Sequence, residues 1–263
     1  MIELFNTILY EPLFNALIYF YRTFGDDMGI AIVVLTLIIK IVLFVPSFSS
    51  LKAQRALQET QPKIEALKQK YQHDKELLGR KLIEFYKENK VNPLSSCLPL
   101  LIQLPILIAL YRVFFGGLET NAETGTLISN QLEHLYTPLQ AIYAVTPIKT
   151  ATLGGIDLAI KGNYILAILA GVGQFVSSKL MSTKKVKPAK VPASSDENMT
   201  AALNKQMLYF LPVLTIVFGV QFPAGVTLYW LVSTLFTLLQ QIYFFKIFQK
   251  KLPQQQTPPP NPT

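Results

Sequence analysis

Cysteine is almost missing from this sequence. Cys97 stands alone among 263 residues, so no disulfide framework can form within the chain. Histidine is nearly as scarce: His73 and His134 are too few and too isolated to suggest a metal site. There is no Ser/His/Asp or Cys/His arrangement, no P-loop, no GxGxxG and no pair of carboxylates in an apolar setting. These absences leave no ground for an enzyme, and no cofactor or metal is expected. Acidic residues are outnumbered by basic ones, 16 to 24. The basic excess lacks aromatic interleaving and lies beside apolar runs, which fits lipid head groups or ribosomal RNA.

Apolar sequence is what the chain has in abundance. It is 51% hydrophobic, with a mean hydropathy of +0.34, yet it carries a net charge of +8. A soluble domain of this size rarely combines these values. Segregation explains both, with apolar runs crossing a membrane and charge gathered in the loops.

Residues 1–24 are rich in Leu, Phe, Ile and Tyr, with Glu3, Asn6, Glu11 and Asn15 interspersed. No basic residue precedes Arg22, so the stretch does not read as a signal peptide with a charged n-region. Glu11-Pro12 interrupts the apolar run, and an amphipathic helix lying in the membrane interface fits better than a span. Residues 1–27 are therefore expected to be an extracytoplasmic N-terminus, closed by the Gly25-Asp-Asp break. A core over 28–248 follows, with spans near 29–48, 94–117, 163–181, 207–221 and 225–245.

The first span carries Lys40 a little past its middle, about 16 Å from one end and about 12 Å from the other. A charge that deep costs roughly 2.5–3.5 kcal/mol on insertion scales. Thr36 and Ser47 share its helical face. One reading is a lysine whose stem snorkels to the interface; the other is a lysine facing a wet cavity.

Residues 49–91 carry ten Lys/Arg against six Asp/Glu. Ala53, Leu57, Thr60, Ile64, Leu67 and Tyr71 recur at spacings of three and four, as do Leu78, Leu82, Phe85 and Asn89. Two short helices meeting along these seams make an antiparallel hairpin outside the membrane. Asp74 suits an N-cap for the second arm, and Pro62 should bend or restart the first. In the second span Pro99 and Pro105 predict a kink, its polar members are Ser95, Ser96, Cys97 and Gln103, and Cys97 reads as a small packing residue. The loop 118–160 has room for a short interfacial helix around residues 136–145. In the third span Gly171 and Gly173 permit close helix approach. Residues 182–204 read as a flexible polar connection. Gln221-Phe-Pro-Ala-Gly225 is a tight turn into the fifth span, and 249–263 is expected to be a disordered cytoplasmic tail.

Crossing five times with the N-terminus outside puts nineteen of the 24 basic residues on one side, in the hairpin, the 179–205 connection and the tail. The positive-inside rule makes that side the cytoplasm. Three spans carry a polar face: Thr36/Lys40/Ser47, then Gln174/Ser177/Ser178, then Thr227/Trp230/Thr234/Thr237/Gln241. Packed together, these faces would line a hydrophilic groove around Lys40. The expected fold is an all-α integral membrane protein, five transmembrane helices around that groove, with a cytoplasmic hairpin and an N-terminal interfacial helix.

Several stretches resemble the YidC insertases, relatives of the mitochondrial and chloroplast insertases of oxidase and light-harvesting assembly. They are Leu-Thr-Leu-Ile-Ile-Lys40-Ile-Val-Leu-Phe, Gln-Pro62-Lys-Ile-Glu-Ala-Leu-Lys, Tyr86-Lys-Glu-Asn, and Val91-Asn-Pro-Leu-Ser-Ser-Cys-Leu-Pro-Leu-Leu-Ile-Gln-Leu-Pro-Ile. Further matches are Ala109-Leu-Tyr-Arg-Val, Ile165-Leu-Ala-Ile-Leu-Ala-Gly-Val-Gly-Gln-Phe175 and Phe222-Pro-Ala-Gly-Val-Thr-Leu-Tyr-Trp230. Together they span about residues 10–248. The resemblance implies a groove open to cytoplasm and lipid but closed outside, which inserts short-tailed membrane proteins and assists their folding. The groove charge would attract acidic residues of the segment being translocated. It implies a bacterial cytoplasmic membrane location and work alone or beside the Sec translocon. The partners expected are nascent membrane-protein substrates and the lipid bilayer, with Sec, a targeting factor and the ribosome reached through the hairpin and basic segments. Lys40 occupies the position where the family usually has arginine, a departure because lysine can lose its proton when desolvated. Gln174 and Trp230 match groove-lining positions. The chain also reads as the short form, without the large extracytoplasmic domain of many Gram-negative members. Two rivals remain open at this level. One is a small channel or transporter using Lys40 as a selectivity charge, which inverted repeats would favour, though none is visible. The other is an assembly factor that only binds partners and needs no buried charge.

Overall fold

The computed structural model describes residues 2–92, 98–121, 123–152, 154–181 and 195–251, and these are helical apart from turns and three isolated antiparallel bridges. The chain opens with α1 (Ile2–Phe5), a π turn at Asn6–Tyr10 and α2 (Glu11–Thr23). The π turn, in which Glu11 N–H reaches Asn6 O, lets the helix run on through Pro12, which falls in the first turn of α2 and removes no needed bond. The helical backbone is therefore continuous through Glu11-Pro12. One face of α2, with Phe14, Leu17, Ile18 and Tyr21, is buried in the main core, while Leu4, Ile8, Tyr19 and Phe24 are exposed.

α3 (Met28–Val42) starts at Asp27, whose carboxylate accepts from Ile30 N at 2.8 Å and from Thr152 Oγ1 at 2.8 Å. The expected first span over 29–48 is not one straight helix. α3 stops at Val42, and α4 (Phe44–Lys70) leaves at 64° to it. Pro46 is the cause: it has no N–H for the Val42 carbonyl four residues back, and its ring would clash there. The helix that carries the hairpin's first arm thus begins at Phe44, ahead of the expected boundary at 49.

α4 does not restart at Pro62 but runs through it, with Pro62 exposed. α5 (Lys75–Glu88) begins, as its sequence predicts, at Asp74, which accepts from Leu77 N at 2.9 Å. Ile64 is buried, and Leu78, Leu82 and Phe85 are half-buried along the seam. Asn89 is not in that seam: it is exposed and its amide donates to Phe85 O, closing the end of its own helix.

α6 (Leu98–Arg112) passes into a π turn at Val113–Gly117. Pro105 is its interior proline. The following loop holds α7 (Ser129–Leu132) and α8 (Thr137–Tyr143), the latter where a short helix is expected. It is fastened to α2: Asn15 donates to His134 O and accepts from Tyr136 N, and Glu11 pairs with His134 at 3.2 Å. Arg112 reaches Asn6 Oδ1 at 2.6 Å and lies over the Tyr10 ring.

α9 (Tyr164–Met181), α10 (Ser195–Gln221) and α11 (Ala224–Lys251) complete the chain. α10 begins within the stretch expected to be a flexible connection, at Ser195. α11 likewise continues past the expected start of the tail, to Lys251. The expectations for Ser95, Ser96 and Cys97, for 182–194 and for 252–263 fall outside the described residues. Two helical stretches, Tyr164–Met181 and Ala224–Lys246, are each long and apolar enough to cross a membrane, and the bent α3–α4 pair would be a third. Leu101–Gly116 and Leu208–Gln221 are shorter apolar helices. The fold is thus that of an all-α membrane protein.

Candidate functional site

α11 is the helix on which the candidate site is built, because it packs along both α9 and α3. Its polar residues divide between those two neighbours. On the α3 side, Lys40 Nζ donates to Thr237 Oγ1 at 3.4 Å. Thr237 gives its own proton to Ser233 O at 2.9 Å, so its oxygen faces the ammonium as an acceptor. Lys40 is the one charged residue of α3 and is half-buried; among the described residues no carboxylate forms an ion pair with it. An ammonium there attracts negative charge more strongly than one on an exposed surface, where water screens it.

On the α9 side, Gln241 Nε2 donates to Ser177 Oγ at 2.8 Å, and both side chains are buried. Gln174 Nε2 lies 3.5 Å from Ser178 Oγ one turn away on α9. Thr234 is buried against Gly173, where an added Cβ would lie 3.3 Å from the threonine methyl. Trp230 is half-buried one turn before Thr234. Lys40 and Thr237 are therefore brought together, as are Ser177 and Gln241.

Three residues fall elsewhere. Thr36 donates to Ile32 O at 2.6 Å and is fully buried, so it does not line an open groove. Ser47 lies beyond the break at Leu43 and does not continue the face of Lys40. Thr227 donates to Gly219 O at 2.8 Å and ties the end of α10 to the start of α11.

A buried polar cluster goes unread at the level of sequence. Gln103 of α6 hydrogen-bonds to the Tyr229 hydroxyl, which also meets Ser233. Gln103 is visible as a solitary amide in an apolar stretch, and Tyr229 stands four residues before Ser233, but nothing local says that they pair. With Thr237 this cluster gives α11 a polar stripe toward α6 and α3. Among the described residues no three His, Cys, Asp or Glu side chains gather as a metal ion would require. The arrangement offers a cation and neutral donors and acceptors inside an apolar bundle, suited to holding a polar or acidic segment.

The family model described as 60Kd inner membrane protein matches residues 19–251. The chain is 34% identical over 220 residues to the membrane protein insertase YidC of Fusobacterium nucleatum, covering 84% of this chain and 87% of that protein. It is 32% identical over 237 residues to the protein of that name from Streptomyces avermitilis, covering 86% of this chain and 54% of the relative. The Wolinella succinogenes protein of the same name is 30% identical over 248 residues, covering 94% and 39%. The chain thus spans about half the length, or less, of several curated relatives it matches. With a family match over most of its length and a similar relative of nearly its own extent, the chain belongs to the 60Kd inner membrane protein family.

Proposed function

We propose that this chain is a membrane protein insertase, which receives short-tailed substrates in a hydrophilic groove between α3, α9 and α11 and releases them to the lipid. The observation that carries the reading is Lys40, the one charge of α3, held against Thr237 on the polar stripe of α11. A polar segment meeting bare hydrocarbon loses its hydration with nothing in return. Lys40, Thr237, Gln174 and Ser178 offer replacement partners, and the ammonium adds attraction for a carboxylate. Such a groove lowers the barrier for a tail without binding it as a product, because the apolar part of the substrate is more stable in lipid. No covalent step and no cofactor enter this scheme.

The same reading takes five spans: α3 with its bend, α6 with its π turn, α9, α10 and α11. The basic hairpin and C-terminal segment then lie in the bacterial cytoplasm and the loop 118–160 outside. The N-terminal helix rests in the outer interface, for which the exposed Leu4, Ile8, Tyr19 and Phe24 are suited. The hairpin's charged outer faces would serve a targeting factor, the ribosome or the Sec translocon.

The test is reconstitution. Purified protein in liposomes should insert a substrate with a short translocated tail, read by protease protection, faster than protein-free liposomes do. Equal rates with and without correctly folded protein would overturn the proposal.

A further inference from the structure

Two adjacent amides on α11 face different neighbours. Gln241 turns to Ser177 of α9. Gln240 follows the face of Thr237, which meets Lys40, and of Phe244, whose ring lies 5.3 Å from that of Phe48. Helical geometry requires the split, since successive residues project about 100° apart whereas those three or four apart share a face. Gln240 is 5% exposed, and its Nε2 has no hydrogen-bond partner. A buried donor in that state is costly and calls for an explanation.

Lys40 has a matching deficit. Its ammonium has three N–H donors, and its hydrogen bond to Thr237 is long, at 3.4 Å. Residues 237 and 240 are neighbours on the helix surface, with Cβ atoms about 5–6 Å apart. An underused cationic donor thus meets α11 at Thr237, and an unused neutral donor stands three residues on along the same face of that helix. The complementary ligand has two acceptor oxygens and a negative charge, which describes a carboxylate. A lone ammonium is a point charge that does not orient a carboxylate, whereas two adjacent donors do.

Resting on the insertase reading above, we propose that Gln240 is a second donor to the substrate carboxylate that Lys40 attracts. The ammonium takes one oxygen and the Gln240 amide the other, which fixes the carboxylate on the side of Lys40 that leads to the break at Leu43. Gln240 thereby sharpens the preference for acidic over neutral tails and contributes little to the crossing of a neutral one.

The experiment uses the full chain in proteoliposomes and two substrates that differ only in whether the tail carries carboxylates or their amides. Gln240→Leu should lower the ratio of acidic-tail to neutral-tail insertion by about tenfold, the worth of one hydrogen bond to a charged group, because the acidic rate falls far more than the neutral one. Gln240→Leu added to Lys40→Ala should lower the ratio no further. Lys40→Arg should restore the ratio in Gln240→Leu, because a guanidinium brings both donors itself. If Gln240→Leu yields too little folded protein, Gln240→Glu decides: its own carboxylate should occupy Lys40 and lower the ratio at least as far. A ratio unmoved by either Gln240 variant, while Lys40→Ala lowers it, would sink the second donor and leave the groove reading standing. A ratio unmoved by Lys40→Ala as well would remove the attraction of Lys40 and this inference with it.

Discussion

Ser177 and Gln241, 64 residues apart in the chain, are joined by a 2.8 Å hydrogen bond that crosses from α9 to α11. Two turns before Gln241, Thr234 rests on Gly173, so one seam is closed by packing and by a polar bond together. Interhelical hydrogen bonds in membranes contribute about 0.6 kcal/mol on average. Ser177→Ala is expected to destabilise the purified protein by about that amount. Gln241→Leu should cost no more, since it also removes the buried Oε1 that has no partner. Unfolding in detergent micelles, run as a double-mutant cycle, would measure the coupling; a value of zero would show that packing alone closes the seam.

The α9–α10 seam should be more sensitive. A Cβ at Gly171 would run into the Ile216 side chain and come within 3.2 Å of Pro212 O. The isoleucine can turn aside, but the carbonyl belongs to the backbone and moves only with α10. Gly171→Leu is expected to cost about 1–3 kcal/mol through overpacking, seen as a lower Tm and less folded protein in the membrane. Gly173→Ala, whose new methyl meets Thr234 at 3.3 Å, should be milder.

Topology is open to direct chemical test. With Cys97 replaced by serine, single cysteines at Thr124 and Asn198 should behave oppositely toward an impermeant thiol reagent in intact cells. Residue 124 should react and residue 198 should react only after lysis. Labelling of 198 in intact cells would rule out the five-span arrangement.

The hairpin makes a separate prediction. Its first arm docks on α11 near the bend, through Phe48 against Phe244 and Arg55 over the Phe245 ring at 5.6 Å. Farther out the arms share a narrow seam, and α5 buries no side chain fully. The hairpin's ion pairs Arg55–Glu59, Glu76–Arg80 and Lys81–Glu84 lie along single helices and are open to solvent on at least one partner, so they add little stability. Replacing residues 54–88 by a short flexible linker should leave the rest of the bundle folded, judged by melting in detergent, yet slow insertion in cells. Undiminished insertion in cells would show the hairpin to be a mere connection.

How far the chain could be read before its structure depended on whether the signal was local. Lys40 is conspicuous because a charge in an apolar run has no cheap explanation, and Asp74 because a cap needs only its own helix. The bend at Leu43 was equally local, written in Pro46, but unbroken apolarity on both sides of it suggests one continuous span. Thr36 shows the opposite limit. Its spacing puts it on the face of Lys40, yet a threonine in a helix can satisfy its hydroxyl on the carbonyl four residues back, as it does here. Gln103 and Tyr229 could not be paired from sequence, since their contact depends on how α6 crosses α11.

Lys40 carries the most demanding prediction. A carboxylate held about 6 Å from the ammonium gains about 2.8 kcal/mol at an effective dielectric near 20, roughly a hundredfold in occupancy. Both groups lose water on meeting, which offsets part of the gain, so about tenfold is the expected effect on an acidic-tail substrate. Lys40→Arg should preserve or increase insertion of that substrate, because the guanidinium keeps its charge and adds a second donor. Lys40→Ala should slow it by about tenfold, and Lys40→Glu should nearly stop it, since attraction becomes repulsion. An uncharged tail should feel all three changes far less, because the hydroxyls and amides of Thr237, Gln174 and Ser178 still replace its water. Rates in proteoliposomes, normalised to folded insertase, place the four proteins on one scale. If Lys40→Glu inserts the acidic tail as fast as the native chain, attraction of charge is not how the site works, and the lysine serves only to keep the groove wet.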